Sequence, residues 1–194
     1  MFYLLKTGWQ WRMLPACFPK WELVYYYFTK WKNTGVIEQI HEMLRDRIRK
    51  KAGREISPSL TIIDSQSVKT TRISGESRGV DGGKKINGRK RHIITDTMGL
   101  LLDVVVHAAN VHDSKGATDV IALLKGRFER LVKIVADGGY LGELIEKTKT
   151  AFGWILEIVL RSDHSSQFVV IPKRWVVERT FAWFKSYRRL SKDF

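Results

Sequence analysis

Five short runs of apolar, largely β-branched residues constrain this chain more than any other feature. Leu60–Asp64, His92–Asp96, Leu101–His107, Leu131–Ala136 and Trp154–Leu160 each have the length and composition of a buried strand. The first two are separated by a Gly- and Lys-rich loop from Ser74 to Arg91, and the second and third by a turn at Thr97–Met98–Gly99. Helical patterns separate the rest. Asp113 reads as the N-cap of a helix carrying Ala117, Val120, Ile121 and Leu124 and stopped at Gly126. Leu141–Thr150 reads as a short helix, and the stretch from about Lys173 to Leu190 as a long one.

Three strands followed by helix, strand, helix, strand and helix is the element order of the ribonuclease-H-like fold. The expected class is α/β: a mixed sheet made of a three-strand meander extended by α/β units. Residues 1–56 read as a helical N-terminal appendage, and 57–194 as the α/β domain. In the appendage Trp21, Val24, Phe28 and Trp31 recur at helical spacing, as do Ile37, Ile40, Leu44 and Ile48 after a break at Asn33–Thr34–Gly35. The basic run from Arg45 to Arg54 lets this helical pair dock on a nucleic-acid backbone. Equally, the pair can pack its tryptophans on the main domain and leave a solvated charged face.

The formal net charge is +14. An excess of that size attracts a polyanion, and phosphate neutralisation dominates nucleic-acid affinity. Cys17 is the single cysteine, which excludes an internal disulfide and a thiolate zinc cluster and fits a reducing cytosol. No apolar run approaches the ~20 residues that cross a bilayer, and the N-terminus lacks the pattern of a signal peptide. The expectation is a cytoplasmic protein with no membrane partner.

Three acids occupy awkward places. Asp64 interrupts the apolar run Thr61–Ile62–Ile63, where an unpaired carboxylate is costly. Asp137 ends a buried strand and precedes Gly138–Gly139, which let the backbone turn and leave the carboxylate at the strand tip. Glu178 lies on a helix crowded with Trp, Val and Phe. With the first and fourth of the expected strands adjacent and the last helix beside them, the three carboxylates converge. Converging oxygens repel unless a cation lies between them, and hard oxygen ligands select Mg²⁺ or Mn²⁺. Two such ions support in-line phosphoryl transfer without a protein nucleophile. Taken singly, the acids also read as a strand end, a turn former and half of a surface ion pair.

Arg174, Glu178 and Lys185 lie roughly on one helix face, so cations flank the acid and can hold phosphates near it. The stretch Lys84–His92 has six cationic or potentially cationic side chains in nine positions. Lys84, Lys85, Arg89, Lys90 and Arg91 are its candidate DNA contacts, made to the backbone and largely insensitive to sequence. A solvated charged loop is the plainer reading. His107, His112 and Asp113 do not match a known metal-ligand spacing.

With these residues in view, the chain resembles the Asp–Asp–Glu (DDE) transposases of bacterial insertion sequences, most closely the fifth insertion-sequence family. The resemblance rests on Thr7–Gly8–Trp9–Gln10–Trp11–Arg12–Met13–Leu14–Pro15, Val24–Tyr25–Tyr26–Tyr27–Phe28 and Ile63–Asp64–Ser65–Gln66–Ser67–Val68–Lys69. It continues in Gly88–Arg89–Lys90–Arg91–His92, Asp96–Thr97–Met98–Gly99–Leu100 and Ala136–Asp137–Gly138–Gly139–Tyr140. The stretch Arg174–Trp175–Val176–Val177–Glu178–Arg179–Thr180–Phe181–Ala182–Trp183 completes it.

The resemblance implies a ribonuclease-H-like catalytic domain holding two Mg²⁺ or Mn²⁺ ions on Asp64, Asp137 and Glu178. It implies cleavage at terminal inverted repeats and strand transfer into target DNA, within a homo-oligomeric DNA complex at the bacterial nucleoid. The family signature of Tyr, Arg, Glu and Lys falls on Ile171, Arg174, Glu178 and Lys185, so the tyrosine hydroxyl is missing here. Family members usually begin before the stretch at Thr7 and continue past Phe194, so a shortened copy is expected. A non-catalytic DNA-binding fragment that inhibits transposition, and a nuclease that only hydrolyses, stand as alternatives.

Overall fold

The computed structural model describes residues 1–71, 77–160 and 174–192. Its contacts divide into two units, one of Met1–Ile56 with Phe184–Lys192 and one containing Ser57–Trp183.

In the first unit, α1 (Phe2–Thr7), α2 (Trp21–Asn33) and α3 (Val36–Lys51) follow the helical spacing of the sequence. Aromatic contacts organise it: Tyr3 meets Trp9 and Phe18, and Trp11 meets Tyr25 and Phe28. The apolar stripe of α3 is not covered, since Ile40, Leu44 and Ile48 all stay exposed. Two cations of the basic run are instead buried. Arg49 donates from Nε to the Glu55 carbonyl at 2.7 Å, and Arg45 pairs with Asp46 at 3.3 Å.

The second unit is built on a mixed sheet of β1 (Leu60–Lys69), β2 (Gly79–Asp81), β3 (Ile86–Asp96), β4 (Leu101–Ala108), β5 (Lys133–Ala136) and β6 (Ile155–Ile158). β1, β3 and β4 form the antiparallel meander, and β5 and β6 add in parallel on the free side of β1. This is the ribonuclease-H-like order expected from the sequence. α4 (Asp113–Ala122) and α5 (Leu144–Phe152) close one face over Ile63, Ile94, Leu102, Ile134 and Ala136. α6 (Arg174–Lys185) serves the other. Thr180 donates to the Gly99 carbonyl and Arg179 to that of Met98, both at 2.8 Å, fixing α6 to the β3–β4 turn.

Several boundaries differ from the sequence reading. The loop Ser74–Arg91 is corrected: Gly79–Asp81 is a strand, and Ile86–Arg91 is the first half of β3. β1 likewise continues five residues past Asp64, because Ser65 to Lys69 pair with Gly88 to His92. Density of charge hid this hairpin, yet its inward residues alternate as a strand requires. The long terminal helix is also broken, with α6 ending at Lys185 and a short α7 (Arg188–Ser191) following in the first unit. The helix cap is His112, whose ring Nδ1 accepts from the Ser114 amide, and Asp113 is thereby released for another role.

Gly88 lies opposite Lys69 at the end of the β1–β3 pairing. A Cβ there would stand 2.0 Å from the Val68 carbonyl oxygen, whereas one at Gly82 in the β2–β3 turn meets nothing within 4 Å among the described residues. Overpacking against backbone has no flexible side chain to absorb it. Gly88→Ala is expected to cost roughly 1–3 kcal/mol or more, and Gly82→Ala less than about 0.5 kcal/mol. Urea melts of the two variants test the hairpin, and equal midpoints would remove it.

Candidate active site

Parallel pairing of β1 with β5 brings two acids together. Ile62 stands opposite Val135, so two residues further on Asp64 and Asp137 emerge side by side at the same end of the sheet. Asp64 is still within β1, with its Oδ1 accepting from the Ser65 amide at 2.7 Å. Asp137 has just left β5 and caps a single 3-10 turn, accepting from the Gly139 amide at 2.9 Å. Glu178 is one turn along α6 from Arg174.

One Arg174 nitrogen, Nη2, joins the three acids. It lies 3.7 Å from Asp64 Oδ2, 3.4 Å from Asp137 Oδ2 and 3.6 Å from Glu178 Oε1. Those oxygens therefore sit well inside the ~10 Å that a shared two-ion site allows. The distances exceed the roughly 2.7–2.9 Å of a strong charge-assisted hydrogen bond. Arg174 thus acts as a counterion among the carboxylates rather than as a bidentate clamp on one of them. It is largely buried, and its Nε has no hydrogen-bond partner among the described residues.

The donor chemistry fits a hard divalent cation: three carboxylates, one protected from water, around a centre that already attracts positive charge. Among the described residues no group of acids, histidines or cysteines closes into a ready cage. Burial raises the Asp64 carboxyl from 3.8 to about 6, helped by Asp137 and opposed by the Ser65 amide, Arg174 and Lys84. Negative charge at this point is therefore undercompensated.

The expected DNA contacts separate into two groups. Lys84 and Lys85 are exposed in the β2–β3 turn, which Asp81 holds by accepting from the Gly83 and Lys84 amides at 3.1 and 3.0 Å. The Lys84 ammonium lies 3.5 Å from the Ser65 carbonyl, beside Asp64. Arg89 is half-buried on β3, and Arg91, also half-buried, donates to the Gln66 side chain and faces the Phe181 ring. Lys90 is a correction. It is only 5 % exposed, and its ammonium bonds the Val111 carbonyl and pairs with Asp113 at 2.9 Å and Asp81 at 3.7 Å. An inward strand position, not a loop tip, explains this. Lys185 closes α6, and Ile171, at the signature's tyrosine position, lies outside the described residues.

Sequence reasoning missed a polar layer behind the acids. Asp113 Oδ1 accepts from Ser65 Oγ at 2.9 Å, pairs with Lys90 and lies 3.5 Å from His92 Nε2. His92 is fully buried and shares a 2.8 Å contact with His107. Burial opposes ionisation of Asp113, but hydrogen bonds from His92, Lys90 and Ser65 hold its carboxyl well below the usual range. The available signal was the alternation of Lys90, His92 and Ile94.

Known proteins are similar to this chain in sequence and in fold. A family described as "Transposase DDE domain" matches residues 55–194, and one described as "Putative transposase of IS4/5 family" matches residues 1–41. A Burkholderia cepacia protein named "Putative transposase for insertion sequence element IS402" is 35% identical over 113 residues. The match covers 53% of this chain and 52% of that protein, so this chain spans about half the length of the curated relative it matches. Among solved structures, the catalytic core domain of BIV integrase is 15% identical with a TM-score of 0.41, covering 66% of each chain. A piggyBac transposase in a synaptic complex with hairpin DNA is 10% identical with a TM-score of 0.38, covering 58% of this chain and 25% of that one.

A raised carboxyl pKa means that the folded protein holds its proton more tightly than the unfolded chain does. Stability should therefore fall as pH climbs from about 4 through about 6, by up to roughly 3 kcal/mol from this group. In EDTA, Asp64→Asn should gain stability relative to the parent across that window and hold a constant advantage above it. Denaturation curves that stay parallel from pH 4 to pH 7 would show that Asp64 is not desolvated.

Proposed function

This chain belongs to the family of transposases built on a DDE domain, and from that premise we propose that it cuts and joins DNA with Asp64, Asp137 and Glu178 as its catalytic acids. The observation that carries this reading is the single Arg174 nitrogen shared by all three carboxylates. Residues 57–194 form the catalytic domain in this reading, and residues 1–56 assist in holding DNA. The three acids are also the ligands of two Mg²⁺ or Mn²⁺ ions. Ions held there supply Lewis acidity for in-line displacement at phosphorus.

The substrates are the element's terminal inverted repeats and then target DNA. Water attacks the phosphodiester at the element's end, and the bond to the 3′-oxygen breaks. That freed 3′-hydroxyl attacks a target phosphodiester in turn, displacing its 3′-oxygen. Arg174 orients the phosphate, since a guanidinium held by long ion pairs can turn to a phosphate oxygen without breaking a short hydrogen bond. Lys84 and Lys85 grip the strand beside Asp64, with Arg89, Arg91 and Lys185 as further phosphate contacts. The working form is a homo-oligomer on DNA. Among the described residues no helix is long and apolar enough to cross a membrane.

A labelled duplex carrying the element's end tests the triad. The wild type should cleave it with Mg²⁺ or Mn²⁺ and not in EDTA. Asp64→Asn, Asp137→Asn and Glu178→Gln should each lose more than the roughly 100-fold that a change outside the ligand shell costs. Cleavage by Asp137→Asn at the wild-type rate would refute the assignment.

Binding supplies a second test. Affinity for duplex DNA should fall steeply with salt. Replacing Lys84 and Lys85 together by Gln should flatten the plot of log affinity against log salt by about 0.9 for each phosphate that is no longer neutralised. An unchanged slope would take the β2–β3 turn out of the interface.

A further inference from the structure

Asp113 lies outside the triad, yet it bonds Ser65, which holds Asp64, and lies near Gly139, which holds Asp137. Ser65 donates its backbone N–H to Asp64 Oδ1 at 2.7 Å and its hydroxyl to Asp113 Oδ1 at 2.9 Å. Gly139 donates its backbone N–H to Asp137 Oδ1 at 2.9 Å. A Cβ on Gly139 would lie 3.0 Å from Asp137 Oδ1 and 3.4 Å from Asp113 Oδ2, so both carboxylates face this glycine. One Asp113 oxygen thus engages the carrier of Asp64, while the other faces the carrier of Asp137.

The carboxylate is itself held firmly. Lys90 reaches it at 2.9 Å while hydrogen-bonded to the Val111 carbonyl, and Lys90 is buried. His92, fully buried, lies 3.5 Å from the same oxygen. Asp113 opens α4, whose Gly116 leaves no room for a Cβ against the rings of His92 and His107. The helix is seated on the histidines, and the acid cannot drift from them.

We infer that Asp113 is a positioning residue that sets the spacing between Asp64 and Asp137 through Ser65 and Gly139; this rests on the reading of those two as metal-binding catalytic acids. Two carboxylates must be held at a fixed separation to share ions, and their strands are free to shear unless something spans them. β1 and β5 are paired only from Leu60 to Ile62 with Lys133 to Val135, before either acid is reached. Beyond that point Arg174 faces both acids, and Asp113 supports their carriers from behind. Groups that orient metal ligands from outside the ligand shell commonly cost 10- to 100-fold in metal affinity when changed.

Mn²⁺ binding to the full chain, followed by the electron paramagnetic resonance signal of free Mn²⁺, tests this at a temperature where circular dichroism shows every variant folded. Asp113→Asn keeps the shape of the side chain and loses its charge. It should weaken Mn²⁺ binding roughly 10- to 100-fold, and Ser65→Ala, which removes one link, should weaken it by at least about threefold. A purely structural role would lower the melting temperature in EDTA while leaving Mn²⁺ affinity within about twofold of wild type, and that result overturns the inference. If Asp113→Asn does not fold, Ser65→Ala decides alone, with unchanged affinity overturning the inference and weakened affinity supporting it. Asp64→Asn is the separate control. Mn²⁺ binding unaffected by Asp64→Asn brings down the triad reading and this inference with it, whereas loss in Asp64→Asn with none in Asp113→Asn or Ser65→Ala overturns only the inference.

Discussion

Like charge gathered at one point is the constraint around which the second unit is built. Three carboxylates whose oxygens all lie within 3.7 Å of one nitrogen repel by roughly 2 kcal/mol or more per ionised pair at an effective dielectric constant of about 20. The amides of Ser65 and Gly139 offset part of that at Asp64 and Asp137. Burial, helped by Asp137, makes Asp64 bind its proton more tightly, and Arg174, whose guanidinium stands among all three, is their shared counterion. α6 must therefore be located accurately, and its anchors to the β3–β4 turn serve that end. The arginine neutralises without bonding tightly, which leaves the acids responsive to a stronger cation.

A formal charge of +14 overstates what the surface offers to a polyanion. Lys90, Arg45 and Arg49 are buried, and Arg174 faces acids. A buried cation contributes little to a distant phosphate and much to its neighbours, because it has lost its water and must be paired. Lys90 shows the exchange. Its ammonium lies between Asp113 and Asp81, and Asp81 in turn accepts from Ser67 at 2.5 Å and from the amides of the turn that carries Lys84. One buried lysine thus supports both the acid layer and the turn that presents exposed lysines to solvent.

The order of strands, and with it the adjacency of Asp64 and Asp137, was legible because apolar β-branched runs report buried strands directly. Convergence of Glu178 followed from topology and needed no contact information. The hairpin at Gly88–Arg91 was not legible. Its charged residues alternate between faces, and charge pattern alone does not say which face is covered by a helix. Lys90 and Arg91 look alike in sequence, but one is inward under α4 and the other lies beside Phe181. Asp113 was hidden differently. An acid before a helical pattern reads as a cap, yet His112 takes that role and the register shifts by one residue. The uncovered Ile40, Leu44 and Ile48 show the same limit from the other direction, since periodicity reports an apolar stripe but not what lies against it.

β1 makes the dependence on register explicit. Ile63, Ser65 and Ser67 point to the face of α4, and Ile62, Asp64 and Gln66 to the face of α6. A slip of one residue would exchange Asp64 for Ser65 and turn the acid away from Arg174. Apolar packing alone does not prevent this, because Ile62 and Ile63 are equally buried and interchangeable in kind. The polar links do distinguish the two faces. Ser65 to Asp113 and Ser67 to Asp81 pin one side, and Gln66 to Arg91 pins the other. Replacing such a layer by well-packed apolar groups is often neutral or favourable for stability. Its presence here is therefore better explained by what it specifies, which is the direction in which Asp64 points.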